Sequence, residues 1–393
     1  MIKGRPPDYI MILVVAALLL IGLVMVFSTT FDWAYMWSRE GVSPYYYTLR
    51  QAAWMVTGIA IAAALTFVPY DWLRRQAVPI MSLTLGLLIL VLIIGEDHLG
   101  ARRSFLGGSI QPGELAKLTT VIYIAAWASS KGERIRDVTY GLIPFAVLVG
   151  IASGLVARQP DLSTAAVIML TGLTAFFLSG ADLLQMVISV IVGGTAFSLL
   201  ALVYPHAHQR VEEFLLQLHD PLQIGSHVRA SLISLGSGGL FGVGLGLGRQ
   251  KFGYLPVPHT DSIFAVIGEE MGLSGCLLVM VLFGLLAWRG FRIALRARDQ
   301  FGMVLASSVT LLLVSQAMIN IAVSVGLLPY TGIILPFISL GGSSLLVSLA
   351  GVGILLSISR GSAPKAIRED AHLDSGRRNG RARLSRSGRP AGA

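Results

Sequence analysis

The sequence predicts an all-α membrane protein with about ten transmembrane helices, and three observations support that prediction. Hydrophobic residues make up 54% of the 393 residues, and charged residues only 13%. The mean hydropathy of +0.73 is too high for an ordinary soluble globule. Apolar runs of membrane-spanning length recur along the chain and are separated mostly by short polar connections. We therefore expect a polytopic membrane protein.

A sliding window of about 19 residues locates the spans. The first span is too apolar and too long for a signal peptide and lacks a small-residue cleavage site, so we expect a retained helix. The predicted spans lie near residues 9–28, 50–69, 77–95, 114–129, 139–157, 162–180, 184–204, 262–288, 301–326 and 333–358.

Basic residues predict the orientation of these spans. They concentrate on alternate connections, at 71–76, 130–137 and 289–299, on the same side as Lys3 and Arg5. The positive-inside rule places those connections and both termini in the cytoplasm. These loops and the last 34 residues, where the basic residues concentrate, account for the net charge of +9 without a nucleic-acid partner. Cys276 is the only cysteine, which excludes intramolecular disulfides and cysteine metal clusters.

The chain is predicted to form one membrane domain, residues 1–360, followed by a basic tail at 361–393. The tail is too polar to fold alone, so we expect a disordered cytoplasmic segment near anionic lipid, or a docking segment for a cytoplasmic partner. Spans seven and eight are joined by a long outer loop, residues 205–261. Apolar residues at helical spacing within 209–222 predict an amphipathic helix on the outer membrane surface, so this loop should be structured.

Ionisable residues at membrane depth need a partner or a water-filled cavity, and here they cluster toward the predicted outer face. This one-sidedness indicates a site at that face. The residues concerned are Arg102, Arg103, Glu114, Lys117, Arg158, Asp161, Arg210, Arg249, Lys251, Asp261, Glu269 and Glu270.

Several of these residues have a structural and a functional interpretation. Glu114 and Lys117 stand at i and i+3, so they form either an ion pair that anchors a helix end or a paired site facing a cavity. Asp161 either caps the next helix after a tight turn or belongs to the site. Glu269 and Glu270 point about 100° apart on a helix, so at least one should bond a facing element.

Asp261, in "HTD", stands where the long loop becomes a helix. It is either a helix cap or a reactive carboxylate. Arg249 and Lys251 precede it, followed by a rigid segment containing Pro256 and Pro258. A carboxylate beside fixed cations could take a proton from a hydroxyl while the cations hold a phosphate. The residues alone leave both interpretations open.

Four stretches together resemble one family. They are "IQPGELAKL" (110–118), "QPDLSTA" (159–165), "SGGLFGVGLGLGRQKFGYLPVPHTDSIFAVIGEEMG" (237–272) and "GLLPYTGIILPFISLGGSSLLVSLAGVGILLSISR" (326–360). They are similar to the SEDS family (shape, elongation, division and sporulation), membrane glycosyltransferases that polymerise lipid II into peptidoglycan. The resemblance covers residues 9–360, and "GRQKFGYLP" is more similar to the FtsW branch than to the RodA branch.

The resemblance implies roles for individual residues. Asp261 matches the essential loop aspartate of the family and is expected to be catalytic. Arg102, Arg103, Arg249 and Lys251 are the candidate phosphate-binding cations. Two departures affect the cavity lining: Ser104 and Phe105 stand where similar proteins usually have a tryptophan, and Val257 stands where an acid is common. The other residues matched to the substrate cavity are Glu114, Lys117, Gln159, Asp161 and His259.

The implied reaction is inverting transfer of a glycan from undecaprenyl diphosphate to the 4-hydroxyl of lipid II. It would occur on the extracellular or periplasmic face of the bacterial cytoplasmic membrane, in division or in shape maintenance. Asp261 would act as the general base, and Arg, Lys or a divalent cation such as Mg²⁺ or Mn²⁺ would meet the charge of the leaving diphosphate. No organic cofactor is expected. The implied partners are a class B penicillin-binding protein and other divisome or elongasome membrane proteins.

Two other functions remain possible at this stage. A lipid II flippase or other transporter would use a similar bundle, but alternating access predicts polar groups at mid-membrane and on both faces. A noncatalytic divisome scaffold would need neither Asp261 nor the loop cations.

Overall fold

The structure is a computed structural model that describes residues 6–37, 43–98, 101–105, 108–220 and 225–361. The predicted tail at 361–393 lies outside the described residues, apart from Gly361. Within the described ranges the helices are α1 (Tyr9–Trp37), α2 (Tyr46–Phe67), α3 (Tyr70–Ile94), α4 (Pro112–Lys131), α5 (Ile143–Ala157), α6 (Leu162–Leu178), α7 (Leu183–Val203), α8 (Pro205–His219), α9 (Ser226–Ser237), α10 (Ile263–Leu295), α11 (Gln300–Ser324) and α12 (Gly342–Gly361).

Short elements complete the connections between these helices. Strands β1 (Glu96–His98) and β2 (Ala101–Ser104) form an antiparallel hairpin before α4. A 3₁₀ turn, Gly132–Arg136, and a π-helical turn, Val138–Leu142, lead into α5.

The all-helical prediction is confirmed, and each of the ten predicted spans overlaps one helix. Eight spans in the described part of the chain are long and apolar enough to cross a membrane. The apolar helix α6 is shorter, and α4 carries Glu114 and Lys117 in its first turns. The chain is a multi-pass membrane protein, while the number of spans and their orientation stay predictions. Helix α8 covers residues 209–219 of the segment predicted to be an amphipathic helix, whose last two residues, 221–222, lie outside the described residues.

The tenth predicted span, 333–358, is wrong at its start because α12 begins only at Gly342. The preceding residues form a largely buried, irregular segment. Asn320 Nδ2 donates to the Ile333 carbonyl at 2.7 Å, and Ser339 Oγ accepts from the Leu335 N–H at 2.9 Å. Hydropathy reports apolar composition only. It does not distinguish a helix from an irregular segment whose backbone N–H and carbonyl groups are hydrogen-bonded by side chains.

Helix α10 is broken at Gly272, where φ is 67°. The freed carbonyls of Glu269 and Glu270 accept hydrogen bonds from the N–H groups of Val243, at 3.0 Å, and Gly244, at 3.1 Å. A Cβ on Gly242 would lie 2.2 Å from the Glu270 carbonyl oxygen, so only glycine permits this approach. Part of the long loop therefore packs against the kink and satisfies its backbone.

Helix packing brings distant segments to one end of the bundle. Helix α10 packs against α1, α9 and α11, while α12 packs mainly on α2. The start of α10 consequently meets the end of α11 and the irregular segment before α12. This end of the bundle carries the candidate site.

Candidate active site

The backbone of the "HTD" tripeptide is fixed by three consecutive carbonyl groups. The His259 carbonyl accepts from the Leu340 N–H at 2.9 Å. The Thr260 carbonyl accepts from Ser339 Oγ at 2.7 Å, and the Asp261 carbonyl accepts from Asn320 Nδ2 at 2.8 Å. Asp261 is therefore held between α11 and the irregular segment before α12, although it belongs to a loop. Such fixation suits a group that must meet a substrate in one geometry.

The Asp261 carboxylate accepts a hydrogen bond from Tyr330 Oη at 2.8 Å. Burial raises the pKa of this carboxyl above its ordinary value, and the hydrogen bonds from Tyr330 and Thr260 and the cations Arg103 and Arg210 oppose the rise. Ser262, not Asp261, is the N-cap residue of α10, and its side chain makes no capping bond. These contacts favour the reactive interpretation of Asp261 over the cap.

The Tyr330 ring contacts an imidazole ring and a guanidinium group. The His227 ring stacks on it at a centroid distance of 4.2 Å, and the Arg210 guanidinium lies 5.0 Å from its centroid. Burial and the Asp261 charge raise the pKa of Tyr330, which therefore stays a hydrogen-bond donor. Burial and Arg210 lower the pKa of His227, which keeps its ring neutral near pH 7.

Tyr330, His227 and Asn320 were not among the residues predicted for the site, and Arg210 was predicted only as an outer-face charge. Tyr330 lies in "PYTG", inside one of the family-like stretches, and this was the only available signal. The other contacts join residues of α8, α9 and α11 to loop residues far away in the chain, so no local pattern indicates them.

The remaining predicted residues near "HTD" have mixed placements. Arg103, in β2, is close enough to Asp261 to lower its pKa. Arg102 is also in β2, but its side chain lies outside the described part of the structure. Burial lowers the pKa of His259 to about 4, so its imidazole is neutral at pH 7 and supplies no charge to a phosphate. Substrate contacts for these three residues stay predictions.

Glu114 and Lys117 form a buried ion pair that extends to α11. Lys117 Nζ lies 2.7 Å from Glu114 Oε1 and 2.6 Å from Gln316 Oε1. The side chains retain only 3% and 9% exposure for Lys117 and Glu114, respectively. The structural interpretation of the pair therefore holds, and any contact with substrate stays a prediction.

Gln159 and Asp161 flank the tight turn between α5 and α6. Gln159 is buried and donates through Nε2 to the Leu88 carbonyl at 3.2 Å. Asp161 is the N-cap of α6 and accepts from the Thr164 N–H at 3.0 Å. Ser163, in the first turn of α6, donates to the Thr331 carbonyl, next to Tyr330. The turn thus borders the site, while binding roles for Gln159 and Asp161 stay predictions.

Lys251 lies in a buried network rather than beside Asp261. Its Nζ is 3.0 Å from Glu270 Oε1 and 2.9 Å from the carbonyls of Ser28 and Gly246. Glu270 is nine residues after Asp261, which corresponds to roughly 14 Å along a helix. These contacts compensate the charge of the buried Lys251 ammonium, so it does not need a substrate phosphate as a partner. A phosphate contact for Lys251 stays a prediction.

The Glu269 side chain binds backbone N–H groups of the same loop. Its Oε1 accepts from the Arg249 N–H at 2.7 Å and from the Gln250 N–H at 3.2 Å. The Arg249 residue itself is exposed. The expectation that at least one of the two glutamates bonds a facing element is confirmed for both, because Glu270 also accepts from Ser28 Oγ of α1 at 2.6 Å.

Comparison with known proteins gives consistent matches over nearly the whole chain. The FtsW/RodA/SpoVE cell cycle protein family matches residues 8–363. Stage V sporulation protein E of Bacillus subtilis (strain 168) is 38% identical, and the match covers 91% of this chain and 98% of that protein. A probable peptidoglycan glycosyltransferase FtsW of Trichlorobacter lovleyi is also 38% identical, with 90% of this chain and 93% of that protein covered.

Solved structures agree with these relatives. A chain from a peptidoglycan synthase complex that coordinates polymerization and crosslinking has a TM-score of 0.71 and 29% identity, covering 90% of this chain and 98% of that chain. The rod shape determining protein RodA of Thermus thermophilus has a TM-score of 0.67 and 28% identity, and the match covers 91% of this chain and 98% of that chain. Since the family match extends over almost every described residue, the chain belongs to the FtsW/RodA/SpoVE family of cell cycle proteins.

Proposed function

We propose that this chain is a peptidoglycan glycosyltransferase that polymerises lipid II, with Asp261 as its general base. Family membership and relatives named as peptidoglycan glycosyltransferases support the enzyme class. The single observation that carries the site is the environment of Asp261: a fixed carboxylate with a raised pKa, hydrogen-bonded to Tyr330 and near two arginines. Among the described side chains, none of the ion pairs within 4.0 Å involves Asp261.

The proton-transfer step follows from this environment. The 4-hydroxyl of the lipid II acceptor approaches the ionised carboxylate and gives up its proton as its oxygen bonds to the anomeric carbon of the donor. The bond from that carbon to the diphosphate breaks on the opposite side, which inverts the configuration. A raised pKa makes Asp261 a stronger base near neutral pH than an exposed aspartate. Tyr330 keeps one carboxylate oxygen in place during the transfer.

The leaving diphosphate needs positive charge beside it. Among the described cations, Arg103 and Arg210 are close enough to Asp261 to lower its pKa, so they are the first candidates to stabilise the leaving diphosphate. Arg210 lies against the Tyr330 ring, which restrains its guanidinium near the carboxylate. Arg102 and Arg249 are further candidates. Lys251 is not among these candidates, because its ammonium group already forms an ion pair with Glu270.

A divalent cation is the predicted alternative to Arg or Lys beside the leaving diphosphate. Across the described residues, no group of three or more His, Cys, Asp or Glu side chains converges on a metal-sized site. A resident metal cage therefore does not fit these residues, and no step above depends on one. A Mg²⁺ or Mn²⁺ ion that arrives with the substrate would take most of its ligands from phosphate oxygens and water.

The proposal places Asp261 at the outer membrane face and both termini in the cytoplasm. The basic connections at 71–76, 130–137 and 289–299 support this orientation through the positive-inside rule. A class B penicillin-binding protein is the proposed partner, supported by the structural match to a chain of a peptidoglycan synthase complex. The apolar bundle would hold the lipid tails of both substrates while their sugars meet at the surface.

A polymerisation assay tests the function. The full chain, purified in detergent with its cognate penicillin-binding protein, is given labelled lipid II, and glycan chains are resolved by electrophoresis. The Asp261→Asn variant should lose activity by about 10²- to 10⁴-fold because it lacks a base. Asp182→Asn is the matched control, since Asp182 caps α7 outside the site, and it should polymerise normally.

Two outcomes would contradict the proposal. A near-normal rate for a folded Asp261→Asn variant would remove Asp261 from the catalytic step. Absence of polymer from the wild-type complex, together with transbilayer movement of lipid II in liposomes, would favour the flippase.

A further inference from the structure

A cavity of about 440 Å³ lies between the start of α1, the last turns of α10 and the end of α12. Its wall includes Arg289, Arg292 and Arg296, which are spaced by three and four residues and share one face of α10. Helix α10 runs for 33 residues from Ile263 to Leu295, so Asp261 precedes its first residue and Arg292 lies in its last turns. The cavity is therefore separate from the candidate active site.

The cavity carries an excess of positive charge. Among the described residues that line it, the one acid is Asp8, beside three arginines. Arg289 binds Asp8 with two hydrogen bonds, the Nε–Oδ1 bond being 3.1 Å long. Asp8 also accepts from the Met11 N–H at 3.0 Å, so its carboxylate is already engaged. None of the salt bridges between described side chains involves Arg292 or Arg296, so the charges of these two arginines are available to an anion.

Aromatic residues indicate that the cavity lies at the level of the lipid headgroups. The guanidinium groups of Arg289 and Arg292 lie 5.2 Å and 5.3 Å from the Trp288 ring centroid. Trp288 is 52% exposed, and Tyr9, which lines the cavity, is 64% exposed. Exposed Trp and Tyr are typical of the membrane–water interface.

We propose that this cavity binds the phosphate-bearing headgroup of an anionic phospholipid. Membrane orientation and the helix dipole are enough to explain arginines at this end of α10, but they do not explain why three of them converge on one cavity. Guanidinium groups bind phosphate oxygens in a forked geometry. Ile10 and Ile293 line the same space and would contact the glycerol and the first acyl carbons. The volume is within the range of small-ligand pockets.

Competitive lipid binding tests the proposal. The full chain in detergent is mixed with equal amounts of phosphatidylglycerol and phosphatidylcholine, and retained lipids are counted by native mass spectrometry. The wild type should retain phosphatidylglycerol about tenfold more than phosphatidylcholine, and the Arg292→Gln/Arg296→Gln variant should show nearly equal retention. The control Arg75→Gln/Arg298→Gln removes the same charge at exposed positions outside the cavity and should keep the wild-type preference.

Added inorganic phosphate separates the two possible sources of the anion. Because apolar contacts also hold the lipid, phosphate should leave most phosphatidylglycerol bound, whereas complete displacement would show that only a free phosphate is recognised and would overturn the lipid assignment. Equal retention of both lipids by the wild type, or an unchanged preference in the cavity variant, would overturn it as well.

A second measurement does not depend on the folding of a variant. Photoreactive phosphatidylglycerol is crosslinked to the wild-type chain, and the labelled peptides are identified by mass spectrometry. Labels should concentrate in residues 6–10 and 289–296. Labels found only in other parts of the chain would refute the proposed site.

Discussion

Asp261 and Glu270 lie nine residues apart on the same stretch of chain, yet their environments differ in kind. Glu270 contacts the Lys251 ammonium at 3.0 Å, the Ser28 hydroxyl and the Gly246 N–H, so its charge is balanced at contact distance. Asp261 accepts a hydrogen bond from a neutral phenol, while Arg103 and Arg210 act on it at longer range. A carboxylate balanced by direct contacts holds a loop in place, whereas one that is only partly compensated can accept a proton.

The largest expected effect concerns the stability of the Glu270 network. Glu270→Gln leaves the buried Lys251 ammonium without its counter-charge, so the free energy of unfolding should fall by about 3–5 kcal/mol. Denaturation of the purified chain in detergent measures this change. Glu269→Gln is the matched control, because its described partners are two N–H groups and the Ser234 hydroxyl, with no cation, and it should cost less.

A double-mutant cycle sharpens that comparison. The losses from Glu270→Gln and Lys251→Gln should be strongly non-additive, since each variant removes the same ion pair. Equal losses for the two glutamate variants, or additive losses in the cycle, would show that Lys251 and Glu270 do not stabilise each other.

An intermediate effect is expected on the pH dependence of polymerisation. The Tyr330 hydrogen bond favours the charged form of Asp261, so Tyr330→Phe should raise the already elevated pKa further. Activity requires the ionised base and is lost as the pH falls through that pKa. The acidic limb of the rate profile should therefore move to higher pH by about one unit.

Rate profiles of two variants separate this effect from a general structural change. Tyr254→Phe alters a tyrosine that is 72% exposed and should leave the acidic limb in place. If the acidic limb of the Tyr330→Phe profile stays at the same pH or moves to lower pH, the hydrogen bond does not stabilise the charged form of the catalytic carboxylate. If the acidic limb of the Glu270→Gln profile stays at the wild-type pH, Asp261 alone of the two carboxylates sets the pH dependence of polymerisation.

The smallest effect should come from Arg210→Gln. Loss of this cation raises the pKa of Asp261, so the acidic limb should again move to higher pH, by less than in Tyr330→Phe because the charge acts at longer range. The turnover rate should also fall if Arg210 stabilises the leaving diphosphate. Arg249→Gln, at an exposed position, is the comparison, and a larger effect from it would reverse the proposed order of the cations.

Much of the fold could be predicted because helical spans are local features of composition. Each predicted span overlaps a helix, and most of the predicted amphipathic segment lies in α8. The start of the tenth span and the break at Gly272 could not be predicted in the same way. Both depend on hydrogen bonds from elsewhere in the chain, namely from Asn320 to Ile333 and from Val243 to Glu269.

The candidate site was predictable in part for a related reason. Asp261 stands out because an acid follows a rigid, cation-bearing loop and lies in a family-like motif. Tyr330 is 69 residues further along the chain, and nothing in its own neighbourhood indicates that it binds Asp261. Lys251 shows the converse, because a cation that is close in sequence pairs with Glu270 instead.

The sequence by itself determined the class of protein and the approximate helices, since these follow from residue type and local spacing, while the clustering of ionisable residues at the outer face stays a prediction. Only the tertiary structure decided which carboxylate is balanced by an ammonium and which stands beside a phenol and distant guanidinium groups. The physical reason is that the energy of a charge in a low-dielectric interior depends on the few groups within reach of it. Packing of α10 against its neighbours, not order along the chain, places those groups.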